Sequence, residues 1–373
     1  MDFHAAAEEL RQCADAPPTI KAFVGFDGTV DRIISVVDKR FGLGEDFKKI
    51  STIAEFGKRI TAAAGQSTNM EIFTSREKLG GNSTIMAGAL AAAGSRVTLA
   101  ADLGVPQIHP VFSDLQKKAA LISLGNPTET HALEFDDGKV MLCSTRNHEK
   151  ITFAALEKVL GDAAGLKKTI EAADLVALAN WTMIPGMTEI FRRLVAEVLP
   201  TIDAGKGSGG RVAFFDLADP EKRLTSELKE ALELIGSFAA YTHAILGVNL
   251  KEAQQVMAVL ELGEVDETQP SVKLAAQKIR ERLNLGCVVI HTVKAAGCAT
   301  VGEAFWVDGP FVAVPRITTG AGDHFNAGFA LGMTMGVSPA AALALGVAFS
   351  GYYVRTGESP SFGEILTFIE GGW

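Results

Sequence analysis

The sequence predicts an α/β protein: a doubly wound, mostly parallel sheet flanked by helices, with a small β-sheet lid. Three observations carry that expectation. From about residue 151 onward, short apolar runs alternate with helical stretches, the pattern of parallel strands buried on both faces. Between about 129 and 145 the hydrophobic period changes to two around Asp136-Asp137-Gly138, which marks a hairpin with Asp-Gly at its turn. Near the C-terminal end, two glycines flank a small residue where an apolar strand candidate, Phe311 to Val314, gives way to a small-residue helix at about Asp323 to Met335.

Composition narrows the function classes. A chain of 373 residues with 47% hydrophobic and 21% charged content can bury a sizeable core, and a single domain over 1–373 is expected. A net charge of −9 without a basic block argues against a nucleic-acid partner. It does not argue against a nucleotide, which needs only a local positive field. Cys13, Cys143, Cys287 and Cys298 are widely spaced, so neither a zinc site nor a disulfide framework is expected. Met1 to Asp15 carries acids in place of an apolar signal core, and the longest apolar run, Ala340 to Ala348, is far too short for a membrane span. A cytoplasmic protein with no membrane partner is the expectation.

Taken in order, residues 1–19 read as a short amphipathic helix ending at Pro17-Pro18, and Ala22 to Phe26 as a first buried strand. A second apolar run, Ile33 to Val37, follows Asp27-Gly28-Thr29-Val30-Asp31. Ser51 to Ala64 is helical, Met70 to Thr74 strand-like, and Ser83 to Ala93 a helix with Asn82 as N-cap. Val97 to Ala101 is a strand. The hairpin 130–135/139–143 cannot stand alone in water. With the runs near 33–37 and 70–74 it completes the lid, formed by segments of about 33–50, 68–79 and 128–147. Helices are then expected at 153–160, 188–198, 224–235, 250–259 and 271–283, and strands at 174–179, 211–217, 244–248 and 287–292. Ala204 to Gly210 imitates a P-loop, but it follows a helix, precedes a strand and lacks the Gly-Lys-Ser/Thr ending, so it reads as a flexible loop.

The chemistry concentrates at Gly320-Ala321-Gly322-Asp323. Where no side chain blocks a strand-to-helix turn, an anion can reach successive backbone N–H groups and the positive end of the helix dipole. A phosphate cradle needs no carboxylate, which would repel the ligand. A phosphoryl transfer does need one, to take the proton from an attacking hydroxyl, and this pairing reads as a kinase. The plainer alternative is a glycine-softened turn whose aspartate only favours the dipole. Asp27 reads as a turn former, whereas Asp31 is placed to bind a ligand's hydroxyls. Gly80-Gly81 offers a second stretch of bare backbone. Asn249 and Glu252, three apart after a strand, suit either water-mediated Mg²⁺ binding or a helix capping box. His291 and His324 lack orienting partners and read as packed or rim residues, and Lys294 as a surface lysine or a phosphate contact.

The string Thr318-Thr319-Gly320-Ala321-Gly322-Asp323-x-Phe325-x-Ala327-Gly328-Phe329 resembles the signature of the ribokinase-like (PfkB) family of small-molecule kinases. Four ordered motifs extend the resemblance from about Phe23 to about Gly351: Gly25…Asp31, Gly80-Gly81-Asn82, Asn249-x-x-Glu252 and Gly320 to Asp323. The resemblance implies a ribokinase-like fold and ATP-dependent phosphorylation of a small sugar, with Mg²⁺ as cofactor. It makes Asp323 the base and Gly320, Ala321 and Gly322 the anion hole. Asp31, Gly80, Gly81 and Asn82 become sugar ligands, Asn249 and Glu252 the metal–phosphate pair, and Thr292 and Gly297 parts of a nucleotide loop. A homodimer through the lid would also be in keeping. Three departures matter. Ile317 replaces an acid and argues against a monovalent-cation site, Ile85 replaces a second sugar-side Asn, and Lys294 replaces a nucleotide-loop glycine. Gly-Gly-Asn-Ser-Thr-Ile-Met-Ala at 80–87 and the Val30-Asp31 spacing look more like ADP-dependent sugar kinases of the same superfamily, whereas Ala-Gly-Asp-x-Phe-x-Ala-Gly-Phe at 321–329 looks like the ATP-dependent branch. A nucleoside kinase and a non-catalytic sugar- or nucleotide-binding regulator stay open, whereas a dinucleotide oxidoreductase lacks its G-x-G-x-x-G after the first strand.

Overall fold

The computed structural model describes residues 3–203 and 210–372. The described strands are β1 (Lys21–Phe26), β2 (Thr29–Arg40), β3 (Phe47–Lys49), β4 (Ile72–Gly80), β5 (Arg96–Asp102), β6 (Ala120–Gly125) and β7 (Thr128–Phe135). They continue with β8 (Gly138–Ser144), β9 (Leu175–Leu178), β10 (Val212–Asp216), β11 (His243–Asn249), β12 (Cys287–His291), β13 (Ala295–Ala299) and β14 (Ala304–Asp308). Nine form one sheet in the order β14-β13-β12-β11-β10-β9-β1-β5-β6, parallel from β12 to β6 and antiparallel at β13 and β14.

Alternation along these strands feeds two cores. Val24, Leu99, Phe214 and Val289 face one layer, which includes residues of the helices Asn82–Ala92, Ala321–Met335 and Pro339–Thr356. Phe23, Ala100, Phe215 and Val288 face the other, against Phe153–Leu160, Thr225–Ser237, Leu250–Val259 and Gln269–Leu283. This is the doubly wound α/β architecture expected. Because β1 is flanked by β5 on one side and β9 on the other, the winding reverses there, and ligands in such folds bind beyond the strands' carboxyl ends at that reversal. That edge is polar. Asp27 follows β1, Asp102 ends β5, Asn180 lies just past β9, Asp216 ends β10 and Asn249 ends β11.

The second sheet is centred on β2, which pairs antiparallel with β4 and parallel with β7. β8 adds to β7, and β3 pairs with the far end of β2. One face buries Ile34, Val36, Ile50, Leu133 and Phe135, with Ile53 and Phe56 of the helix Ile53–Ala62 packed on them. The other face looks toward the large sheet. Among the described residues no helix is long and apolar enough to cross a membrane.

Several elements differ from the sequence reading. Phe311 to Val314 is not a strand: it is a loop in which Phe311 and Val314 are exposed, so its apolar residues report a cavity wall and not a buried edge. The last strands before the glycine loop are β13 and β14. β13 is hard to see because Ala295-Ala296-Gly297-Cys298-Ala299 has little β propensity. Its residues are small because a helix packs close: a Cβ on Gly297 would lie 2.9 Å from Val272 Cγ1 and 3.3 Å from Trp306 Cε3. Gly297 is therefore a buried packing position within a strand, not part of a nucleotide loop. The hairpin turn is Asp136-Asp137, since Phe135 pairs with Gly138. β4 runs on to Gly80, beyond the expected end at Thr74. The helix from Met187 gives way at Leu194–Val198 to a wider π-turn. Residues 204–209, read as a flexible loop, lie outside the described residues. Gly297→Val should cost about 1–3 kcal/mol of stability by overpacking. Thermal or urea unfolding checks this, and an unchanged midpoint would contradict the close approach.

Candidate active site

The glycine loop sits between two cavities. Gly320 takes φ +95° at the N-cap of the helix Ala321–Met335, a left-handed conformation that favours glycine, and no side chain caps that helix. Ala321 N–H donates to Thr318 O at 3.2 Å, so it is not available to an anion, which corrects the expectation that this residue's amide lines the hole. The N–H groups of Gly320, Gly322 and Asp323 have no acceptor among the described residues. Thr318, Ala321 and Gly322 line a cavity of about 550 Å³, together with Asn249, His291 and Thr292. Thr319 lines a second cavity, of about 270 Å³, which also contains Asp31. One loop thus borders both.

The loop is held by its carbonyls. His324 Nδ1–H donates to Gly320 O at 2.7 Å, which leaves Nε2 to accept from the Ser359 hydroxyl at 2.8 Å. The ring stacks on Tyr353 with centroids 3.7 Å apart, and Tyr353 donates its hydroxyl hydrogen to Thr319 O at 3.1 Å. Burial pushes His324 down to about 4, and His291, packed on Phe325, down to about 4 as well. His324 is packed and His291 stands at the rim of the larger cavity, as expected, but His324 is oriented by Gly320 O and Ser359, partners that the sequence did not reveal.

Asp323 lies in the first turn of this helix, 8% exposed. Its Oδ1 accepts from Asn82 Nδ2 at 2.8 Å. Burial raises its pKa to about 8, opposed by the Asn82 bond and reinforced by Asp27, Glu252 and Asp31. Asn82 is therefore not the N-cap that its sequence position suggests. Gly81 is, with φ +100°, and Asn82 is freed to reach Asp323. The cap comes from another strand: Asp27 accepts the N–H groups of Asn82 and Ser83, both at 2.8 Å, and Asn180 Nδ2 at 2.8 Å. The two glycines make room for aspartates. A Cβ on Gly80 would lie 2.4 Å from the Asp31 carboxyl, and one on Gly81 would lie 3.0 Å from Asp27 Oδ2.

Two further acids meet there. Glu252 and Asn249 form the capping box. Asn249 N–H donates to Glu252 Oε2 at 2.9 Å, Glu252 N–H to Asn249 Oδ1 at 3.0 Å, and Asp219 N–H to Glu252 Oε1 at 2.8 Å. Asn249 Oδ1 thus serves the capping box, the second of the two readings of this pair, and the Asn249 amide hydrogens face the larger cavity's wall without a partner among the described residues. Asp216 escaped the sequence analysis. Its Oδ2 accepts from Asn326 Nδ2 at 2.7 Å, while its buried Oδ1 has no partner among the described residues. Burial, then Glu252 and Asp323, drive its pKa well up. The signal that could have found it is an acid at the end of an apolar strand, Phe214-Phe215-Asp216, at the carboxyl edge of a parallel sheet. Thr292 closes its own turn, accepting from Lys294 N–H at 3.2 Å and Ala295 N–H at 3.0 Å. Lys294 lies over the Phe311 ring, 5.3 Å from its centroid. Among the described residues no three His, Cys, Asp or Glu side chains form a ready metal cluster.

The profile of the prokaryotic ketohexokinase family matches residues 3–372. The chain belongs to that family. It is a ribokinase-like (PfkB) carbohydrate kinase that phosphorylates a sugar with ATP. A ketohexokinase of Haloferax volcanii is 27% identical over 355 residues, spanning 94% of this chain and 91% of that protein. Among solved structures, a phosphofructokinase-2 mutant from Escherichia coli superposes with TM-score 0.63 at 14% identity, covering 94% of this kinase and 99% of that chain. Arabidopsis thaliana ribokinase, complexed with ribose and ATP, gives TM-score 0.63 at 15% identity over 94% and 98%. At that identity the likeness speaks to the fold.

The raised carboxyl makes a stability prediction. A folded-state pKa near 8, against about 4 unfolded, means that the folded kinase holds the proton more tightly. The contribution is fully present below the unfolded value and is lost as pH rises through about 8. Asp323→Asn, which cannot ionise, should therefore melt higher than the native protein at alkaline pH without nucleotide, and the gain should shrink toward pH 5. Thermal melts across pH check this, and an equal gain throughout would contradict it.

Proposed function

We propose that this kinase transfers the γ-phosphoryl group of Mg·ATP to a hydroxyl of a ketohexose or a derivative of one, with Asp323 as general base. The observation that carries the reading is the single loop bordering two cavities, with Asp323 in the helical turn that follows it. The larger cavity suits the nucleotide. It is walled by the Asn249 cap, the Thr292 turn and the loop around Phe311. The smaller suits the acceptor. Asp31 is there to accept from hydroxyls, and no aromatic ring lines it, which favours a sugar over a nucleoside.

In this account the free N–H groups of Gly322 and Asp323 and the helix dipole hold charge on the transferring group. Asp323 accepts the acceptor's proton through Oδ2, while Asn82 fixes the carboxyl through Oδ1. A base with a pKa near 8 is matched to a proton transfer near neutrality. The second sheet acts as the lid, by way of the segments of about 33–50, 68–79 and 128–147, and excludes water that would otherwise take the phosphoryl group. Lys139 Nζ already reaches across from that sheet to Thr319 Oγ1 at 2.6 Å. Gly80 and Gly81 contribute by letting Asp31 and Asp27 approach.

The residues present fit Mg²⁺. Asp216 Oδ1 is a buried hard donor without a partner among the described residues, and Glu252, the neighbouring acid whose charge raises its pKa most, would contribute through water. Bound there with nucleotide, the ion would supply charge neutralisation for the phosphates.

Asp323→Asn should lower kcat by about 10²–10⁴ while leaving nucleotide affinity within a few-fold. A coupled ADP assay with a ketohexose, beside calorimetric titration of the nucleotide, separates the two quantities. Native-like turnover in the variant would remove Asp323 as the base.

A further inference from the structure

The chain passes between the two sheets at 27–28, 81, 126–127 and 145–152. A buried polar chain that the mechanism above does not use joins three of these crossings to the end of β5. That end is Asp102, which is fully buried. A Cβ on Gly28, in the first crossing, would lie 2.1 Å from Asp102 O, and one on Gly125, at the end of β6, would lie 2.8 Å from Asp102 Oδ1. Close packing against Asp102 thus leaves both positions to glycine. His148 comes from the fourth crossing, in the turn Arg146–Lys150, and is 2% exposed. Its Nδ1 lies 3.2 Å from Asp102 Oδ2, and its Nε2 lies 3.3 Å from Thr128 Oγ1 at the start of β7. Thr128 Oγ1 lies 2.9 Å from Thr29 Oγ1 at the start of β2. The same turn holds the third crossing a second time, through Asn147 Nδ2, which donates to Pro127 O at 2.9 Å.

A carboxylate only accepts, so His148 Nδ1 carries the ring hydrogen and Nε2 accepts from the Thr128 hydroxyl, whose oxygen accepts in turn from Thr29. Gly28 O, at 3.4 Å, is a second acceptor for the Thr128 hydroxyl. The bonds run one way, from the small sheet to Asp102. Burial raises the Asp102 pKa, opposed by the bond from His148, and Asp102 Oδ1 has no partner among the described residues. Well-packed apolar residues would fill such a place with equal or better stability, so a buried His–Asp pair is not explained by stability. Its position offers another account. Thr29 and Thr128 stand directly opposite each other across β2 and β7, and the next pair on the same face of the sheet is Asp31 opposite Thr130. Burial raises the Asp31 pKa, opposed first by Lys78 and then by a hydrogen bond from the Thr130 hydroxyl. The polar chain from Asp102 therefore ends one pleat away from the Asp31 carboxyl.

We propose that Asp102 and His148 are positioning residues for the acceptor: through Thr128 and Thr29 they pin the base of the small sheet to the large one, and so set where β2 holds Asp31 relative to Asp323. This rests on the reading above in which Asp31 binds a hydroxyl of the ketohexose. Neither residue lines either cavity, so they act through the strands and not on a ligand. Asp323 stands on a helix of the large domain and Asp31 on a strand of the small sheet, so a small rotation between the two moves the acceptor hydroxyl away from its base. The Asp27 carboxyl ties the first crossing to the second, at 81, by accepting the N–H groups of Asn82 and Ser83. The Asp102–His148 chain ties the first to the third and fourth. Together the two acids fix all four crossings.

The test is steady-state kinetics of T128V, T128S and H148F, with a free ketohexose and Mg·ATP varied separately. T128V keeps the shape of the side chain and removes its hydroxyl, whereas T128S keeps the hydroxyl. T128V and H148F should each raise the KM for the ketohexose about tenfold, the effect of losing one buried hydrogen bond, and leave the KM for Mg·ATP within about twofold. T128S should stay within about twofold of the native kinase in both. Because the two side chains act in one chain, the double variant T128V/H148F should cost no more than the larger single change. An unchanged ketohexose KM, an equal rise in both KM values, or a T128S as impaired as T128V overturns the positioning role and leaves the kinase reading standing. If the native protein turns over no ketohexose, the kinase reading falls, and amide hydrogen exchange decides whether the pin exists. Exchange at 29–34 and 128–133 that is about tenfold faster in T128V, with 96–102 unchanged and T128S native-like, upholds it. Native exchange at those strands in T128V overturns it. T128V carries the decision if H148F does not fold.

Discussion

Five carboxyl groups gather where the carboxyl edge of the large sheet meets the small one: Asp27, Asp216, Glu252 and Asp323 on the large side and Asp31 from β2, and none is in an ion pair among the described residues. All are buried. Carboxylates taken out of water without a counter-charge have their pKa raised, as Asp31, Asp216, Glu252 and Asp323 do here. What keeps the cluster together is a set of neutral donors. Asn82, Asn180 and Asn326 each give an amide hydrogen to one acid, and four backbone N–H groups go to Asp27 and Glu252. Amides satisfy lone pairs without cancelling charge, so the edge is ordered yet electrostatically incomplete. Such a site gains most from positive charge brought by the ligands that the proposed reaction uses.

The two sheets contribute opposite charge to that region. The large sheet supplies acids at strand ends, where each follows a buried apolar run. The small sheet supplies cations, Arg76 and Lys78 at alternate positions of β4 and Lys139 on β8. The glycine loop lies at the border, and its position is fixed by His324 and Tyr353 through carbonyl oxygens, which leaves the amides facing outward. Position of the loop, and not its sequence alone, makes it available to an anion. A bulkier residue at Gly320 would meet the Tyr353 hydroxyl at 3.2 Å as well as a strained φ.

Where the sequence was legible, one local interaction decided the outcome. The alternation of apolar runs and helices reads directly as a parallel sheet. Gly320 and Asp323 are close in the chain, and the capping box of Asn249 and Glu252 spans a single turn. Where it misled, the decisive contact was distant. Asn82 reads as an N-cap until Asp27, fifty-five positions away, takes that duty. Gly297 reads as a loop glycine because nothing local reveals Val272 against it. Phe311 to Val314 has the composition of a strand and the position of a cavity wall. Asp216 became visible only when the sheet order brought its strand end beside Glu252 and Asp323. The cationic face needed the register of four strands, which the hydrophobic period alone does not fix.

The central claim is that the glycine loop holds the transferring group between two bound ligands while Asp323 faces the acceptor. A crystal structure with a non-hydrolysable ATP analogue, Mg²⁺ and an acceptor sugar tests it most directly. The account predicts the terminal phosphate within hydrogen-bond distance of the Gly322 and Asp323 N–H groups, and one acceptor hydroxyl within reach of Asp323 Oδ2. A terminal phosphate bound away from that loop, or an acceptor hydroxyl seated on another base, would contradict it.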